Sequence, residues 1–232
     1  MLNRLFPIYL IIFYTAVASG MDLAKEDDQI AYSLGLVTGE NIKYQEKSGI
    51  KINLDIFIQG LKDTIANKPQ LNQEQMLKAL NMMQQMGAEE QKKMLKKTSA
   101  TNLQTGKDFL ANNKKNIDVV ELQNGLQYQI INHGDQSSKS PNINDKVQVQ
   151  YRGSLLDGTQ FDSSYESSKP AIFELKSLIK GWQEALMLMK PKSKWKIFVP
   201  PQLAYGTEGA GAQIGPNSVL VFDIELVSVN PA

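Results

Sequence analysis

The chain has 232 residues, 42% of them hydrophobic, which is enough for one or two cored domains and too many for disorder throughout. With 25 Lys plus Arg against 24 Asp plus Glu, the net charge of +1 gives no electrostatic footprint for nucleic acid or an anionic membrane surface. There is no cysteine, so disulfides, thiolate metal sites and a cysteine nucleophile are excluded, and the single histidine, His133, sits in the turn-like Asn132-His133-Gly134-Asp135.

Any activity must therefore do without a His-assisted nucleophile, and neither a metal nor a cofactor is expected. The first strongly patterned segment is apolar: Arg4 precedes a hydrophobic run over residues 5–17, and Ala16, Ala18, Ser19 and Gly20 follow or close it. That order reads as a signal peptide over residues 1–20, cleaved near Ala18 or Gly20. The run is shorter than the roughly 20 apolar residues of a membrane span. Export to the periplasm, outer membrane or cell surface is the expected destination, and an oxidising compartment suits a chain without thiols.

Residues 22–67 carry a helical period, with Ile30, Leu34 and Val37 on one stripe and Leu54, Phe57, Ile58, Leu61 and Ile65 on another. Ser48-Gly49 separates the two helices, Asn53 is placed to cap the second, and Asn67 with Pro69 ends it. A third helix is predicted from Asn72, which forms a capping box with Gln75, and it presents Met76, Leu77, Leu80, Met83 and Met86 on one side. The methionines Met76, Met82, Met83 and Met86 read as the core of a helical dimer in preference to a chaperone surface. Residues 88–115 are polar, as in a solvent-bridging helix; continuous from 72 to 113, it would reach about 60 Å at about 1.5 Å per residue. Gly106, with Thr98, Thr101 and Thr105, marks a predicted soft point. The stripes of residues 21–86 need burial against each other or a second subunit, and residues 87–117 form the connecting helix.

From Asp118 the signal changes to strands. Asn124-Gly125 between two short apolar runs predicts a hairpin. Val147, Val149 and Tyr151 alternate with Gln148, Gln150 and Arg152, Asp157-Gly158 turns the chain, and strands follow at Phe161, at residues 171–175, 195–199 and 219–229. A short amphipathic helix is predicted to carry Leu178, Ile179, Trp182, Ala185, Leu186 and Met189, closed by Pro191. The fold class is α+β: an antiparallel sheet wrapped on one short helix over residues 118–232, preceded by an all-α domain and a long connecting helix.

Six motifs go further. Val149-Gln150-Tyr151-Arg152-Gly153, Leu156-Asp157-Gly158-Thr159-Gln160-Phe161-Asp162-Ser163-Ser164, Leu178-Ile179-Lys180-Gly181-Trp182, Leu203-Ala204-Tyr205-Gly206, Ile214-Gly215-Pro216-Asn217 and Leu220-Val221-Phe222-Asp223-Ile224-Glu225-Leu226 resemble, in order and spacing, the FK506-binding (FKBP) family of peptidyl-prolyl cis/trans isomerases. The exported helical arm and the entry Gly125-Leu126-Gln127-Tyr128 resemble its macrophage infectivity potentiator and FkpA branch.

The resemblance implies an isomerase of X-Pro bonds in exported proteins that assists folding, with proline-containing polypeptides as substrates. It implies a homodimer joined through the N-terminal helices, and macrolides of the rapamycin type as inhibitors. By family correspondence Tyr151, Phe161, Leu178, Ile179, Trp182, Tyr205, Ile214 and Phe222 line the pocket, with Trp182 as the floor beneath the proline ring. Asp162 and Tyr205 supply the catalytic polar groups, and the Ile179 N–H is a further donor. Four positions depart from the family pattern, two of them Ala210 and Gln213 in the flap from Tyr205 to Pro216, where other members often have bulkier or more apolar groups. A frequent arginine after the Phe-Asp pair falls on Ser167, leaving Asp162 without that ion pair, and a pocket-wall phenylalanine falls on Ala171. The alternative function is a holdase or proline-segment binding module with little catalysis.

Overall fold

A computed structural model describes residues 23–167 and 169–231. The expected signal peptide lies outside the described residues. The chain divides into two compact units parted between Ala88 and Glu89.

The first unit is helical. Helix α1 (Glu26–Lys47) opens with Glu26, Asp27 and Asp28 in its first turn, where negative charge complements the helix dipole. Helix α2 (Leu54–Ile65) is capped as its sequence predicts: the Asn53 side-chain oxygen accepts from the N–H groups of Asp55 at 3.0 Å and Ile56 at 3.2 Å. At the start of α3 (Gln73–Asn113) the Gln75 N–H donates to Asn72 Oδ1 at 2.8 Å, and the Asn72 N–H donates to Gln75 Oε1 at 3.0 Å, completing the capping box. Packing within this unit is thin. Neither α1 nor α2 buries a residue, and the predicted stripes face outward, up to Ile65 at 82% exposure. Among the described residues no helix is long and apolar enough to cross a membrane.

The second unit takes in the C-terminal stretch of α3 and the sheet. Helix α3 runs unbroken through the predicted soft point, which corrects that expectation. Gly106 is the one residue of α3 that is buried, and a Cβ there would stand 2.7 Å from Val219 Cγ2. The glycine is a place of close approach, and tertiary packing outweighs its low intrinsic propensity. Farther along α3, Phe109 meets Phe198 with ring centroids 5.6 Å apart. The fully buried Gln127 donates to the Leu110 carbonyl at 2.9 Å and accepts from Asn113 Nδ2 at 2.9 Å.

Among the described residues seven strands form one antiparallel sheet: β1 (Val119–Glu121), β2 (Gln127–Asn132), β3 (Lys146–Ser154), β4 (Gln160–Ser163), β5 (Ala171–Glu174), β6 (Lys194–Val199) and β7 (Leu220–Val229). Their order is β1-β2-β6-β7-β3-β4, with β5 also paired to β3. Strand β4 pairs with residues 152–154 of β3 and β5 with residues 146–149. Alternation decides which face is inside. Val147, Val149, Tyr151 and Gly153 of β3 and Leu220, Phe222, Ile224 and Leu226 of β7 turn inward, with Tyr151 opposite Ile224 and Gly153 opposite Phe222. Helix α4 (Lys180–Leu188) packs Trp182, Ala185 and Leu186 against that face.

One boundary differs from the sequence expectation. Leu178 and Ile179 are not helical; they are extended, with ψ of 165° and 151°, between a 3-10 turn (Leu175–Ser177) and α4. The side-chain amide of Gln183, nearly buried, donates to the carbonyls of Leu178 at 2.7 Å and Lys176 at 3.1 Å. Those bonds hold the approach extended, and the Ile179 carbonyl then accepts from the N–H groups of Trp182 and Gln183 to start the helix.

Candidate functional site

Trp182 stands at the centre of the site because α4 begins with its first turn against the sheet. Only 3% of its surface is exposed. Three rings present themselves at right angles to the indole: Tyr151 from β3 at 5.1 Å and 86°, Phe222 from β7 at 5.2 Å and 88°, and Phe173 from β5 at 6.3 Å and 90°. Phe161 from β4 extends the array, edge-on to Phe222 at 5.6 Å and 88°. Each pair has the T-shaped geometry that matches ring edges to ring faces. The close ring packing needs Gly153: a Cβ there would fall 2.7 Å from Phe161 and 2.9 Å from Phe222.

Asp162 is the charged group beside this box. One carboxylate oxygen accepts from the Tyr151 hydroxyl at 2.7 Å and the other from the Ser163 N–H at 2.8 Å. Burial pushes the Tyr151 phenol above its ordinary pKa, and the hydrogen bond to the Asp162 carboxylate adds to the shift. Tyr151 therefore stays a donor throughout the physiological range. The missing arginine is visible here: among the described residues no cation pairs with Asp162, and the Ser167 hydroxyl instead donates to the backbone carbonyls of Ser164 and Lys169 at 2.8 Å.

The remaining sequence-predicted residues lie on two loops. Leu178 and Ile179 pack on the core cluster that holds Trp182, and among the described residues nothing accepts from the Ile179 N–H. Ile214 belongs to the same cluster and is bridged to Ala210. Tyr205 lies farther out, 41% exposed, with its hydroxyl free of hydrogen bonds among the described residues. The site thus joins an apolar aromatic floor with the Asp162 carboxylate and an Ile179 N–H without an acceptor among the described residues. Among the described residues no three His, Asp or Glu side chains gather to hold a metal ion.

Three residues of the site were not singled out from sequence. Phe173 could have been found from the alternation of β5, where Ala171 and Phe173 turn inward and Ile172 outward. Buried Ser164, whose hydroxyl accepts from the Tyr151 N–H at 2.8 Å and donates to Gln150, braces β3 behind Tyr151. Gln183 shapes the Leu178–Ile179 approach, and a polar residue next to Trp182 on a short amphipathic helix is its only signal in the sequence.

Comparison with known proteins fits this geometry. Residues 137–227 match the family model described as FKBP-type peptidyl-prolyl cis-trans isomerase, and residues 27–130 match the domain amino terminal to it. The peptidyl-prolyl cis-trans isomerase Mip of Coxiella burnetii is 41% identical over 93% of this chain and 92% of its own length. The outer membrane protein MIP of Legionella longbeachae is 39% identical over 94% of this chain and 91% of its own. The crystal structure of FkpA from Escherichia coli is similar with a TM-score of 0.76 at 36% identity, covering 90% of this chain and 98% of that one. On the aromatic box, the order of its motifs and these similarities, the chain belongs to the FKBP-type peptidyl-prolyl cis-trans isomerase family.

Proposed function

We propose that the protein isomerises X-Pro bonds of exported polypeptides, and that Asp162 and Tyr205 act at the bond while Tyr151, Phe161, Leu178, Ile179, Trp182, Ile214 and Phe222 bind the proline and its neighbours. The observation that carries the reading is the Trp182 floor with three rings standing perpendicular to it. Peptide rotation is opposed by about 18–20 kcal/mol because the planar amide is resonance-stabilised, and X-Pro exchange is correspondingly slow. A twisted amide has lost that resonance and much of its charge separation. A dry aromatic pocket therefore favours the twisted form over the planar one, and no nucleophile is needed. The Ile179 N–H and the Tyr205 hydroxyl are free to hold substrate carbonyls, and Asp162 faces the rotating bond.

In the same reading, residues 21–86 form a dimerisation domain, 87–117 a connecting helix and 118–232 the isomerase domain. The outward stripes of α1 and α2 meet in a homodimer, residues 1–20 direct export to the periplasm or outer membrane, and rapamycin-type macrolides compete with proline for the pocket. The test is acceleration of cis/trans exchange in a proline tetrapeptide and of proline-limited refolding. Asp162→Leu and Tyr205→Ala should each lower kcat/KM about tenfold, the equivalent of about 1.4 kcal/mol of transition-state stabilisation. Wild-type turnover in variants with native circular dichroism would remove both residues from the mechanism, and an inert wild type would end the isomerase reading.

A further inference from the structure

Tyr205 and Ile214 both sit on the loop over residues 204–219 that leads into β7, and this loop has little structure of its own. Its internal backbone ties are the Ala210–Ile214 bridge, the Gly209 N–H donating to the Tyr205 carbonyl at 3.2 Å and the Asn217 N–H donating to the Gly206 carbonyl at 2.8 Å. At its start the Ala204 and Gly206 N–H groups donate to the Pro201 carbonyl at 3.0 and 2.8 Å, and further polar ties run to α3. Asn102 Nδ2 donates to the Pro216 carbonyl at 2.9 Å and to Ser218 Oγ at 3.2 Å, and Asn217 Nδ2 donates to Ser99 Oγ at 2.8 Å. Ser218 Oγ passes the chain of bonds back to the Gly215 carbonyl at 2.8 Å. Contact is close as well as polar: a Cβ on Gly215 would stand 3.2 Å from Asn102 Nδ2 and 3.4 Å from Thr98 Cγ2.

Ser99 and Asn102 are three residues apart and so share one face of α3. Neither residue type favours a helix interior, since each can bond the backbone in non-helical forms. Their side chains are committed to the loop instead. We infer that Ser99 and Asn102 are positioning residues of the isomerase: they hold the 204–219 loop against α3 so that Tyr205 and Ile214 stand ready at the pocket. This rests on the isomerase reading above and extends it to a helix outside the sheet domain. A released loop spends part of its time away from the pocket, and apparent affinity falls in proportion to the competent fraction. The effect belongs in KM, because a bound substrate selects the ordered loop.

The experiment uses the full chain and three variants. Asn102→Ala should raise KM for a proline tetrapeptide by about three- to tenfold with kcat near that of the wild type, the mark of a reduced competent population. Hydrogen exchange at the Ile214 and Asn217 amides should quicken, while Val149 and Ile224 of the central strands exchange as before. Ser99→Ala should show a smaller rise in KM, and Ser99→Thr, which keeps the accepting hydroxyl, should restore it. Wild-type KM together with wild-type loop exchange in a folded Asn102→Ala protein overturns the inference. So does Ser99→Thr behaving like Ser99→Ala, a comparison that serves even if the Asn102 variant does not fold. If the wild type fails to catalyse, the isomerase reading falls, and the exchange data still decide whether α3 holds the loop.

Discussion

Replacing Gly106 with alanine sets two effects of known size against each other. Alanine improves helix propensity over glycine by about 0.8–1.0 kcal/mol. Against this, the new Cβ would lie 2.7 Å from Val219 Cγ2, well inside the usual carbon contact of about 3.5–4.0 Å. Val219 is only 3% exposed, and overpacking of this kind costs about 1–3 kcal/mol. The clash wins, leaving a net loss of about 0–2 kcal/mol once the propensity gain of about 1 is subtracted. Val219→Ala removes the offending methyl and by itself costs about 1.6 kcal/mol, at about 0.8 for each of two buried carbons. In that background Gly106→Ala should turn stabilising, so the double-mutant cycle should show a coupling of about 1–3 kcal/mol. Urea unfolding followed by tryptophan fluorescence is the assay, because both tryptophans, Trp182 and Trp195, lie in the second unit. A loss of about 1 kcal/mol moves the midpoint down by about 0.3–1 M at ordinary m-values. A Gly106→Ala protein with a higher midpoint and an additive cycle would refute the close approach of α3 to Val219.

The raised pKa of Tyr151 has a sign in the stability curve. Its folded pKa lies above the unfolded value of about 10, so its contribution is complete below pH 10 and is lost as pH rises further. Urea midpoints from pH 8 to 11 should fall more steeply for the wild type than for Tyr151→Phe, and parallel curves would remove the effect. Rapamycin-type macrolides should quench Trp182 fluorescence saturably and compete with a proline tetrapeptide; quenching without competition would separate the two sites. Light scattering should give a dimer at micromolar concentration, since burial of outward stripes such as Leu54, Leu61 and Ile65 yields about 25 cal/mol per Å². A charge placed there by Leu61→Glu should yield folded monomer, and a monomeric wild type would overturn the dimer.

Local chemistry made most of the fold legible. The Asn53 cap, the Asn72–Gln75 capping box and the Asn124-Gly125 hairpin each depend on residues within a few positions of one another, and each forms as its sequence predicts. The alternation of β3 and β7 was equally local, and it brought Tyr151 and Phe222 to the same face. The approach to α4 was read as helix because Leu178 and Ile179 fit the apolar period. What opposes that period is the Gln183 side chain reaching back to two carbonyls, a contact that periodicity does not register. Phe173 is legible only through the alternation of a strand four residues long, where Ala171 and Phe173 turn inward and Ile172 outward.

The second half of α3 shows a more general limit. Its apolar stripe is sparse, and a sparse stripe reads as a helix in solvent. Yet Ser99, Asn102 and Gly106, residue types poorly suited to a helix interior, are the ones that meet the 204–219 loop. Packing made of a glycine contact and side-chain hydrogen bonds leaves no hydrophobic period, because one term needs no side chain and the other needs a polar one. Poor helix formers grouped on one face of an otherwise continuous helix are therefore a signal in their own right. They mark where the helix touches something, and in this protein what it touches is the loop that carries Tyr205 and Ile214.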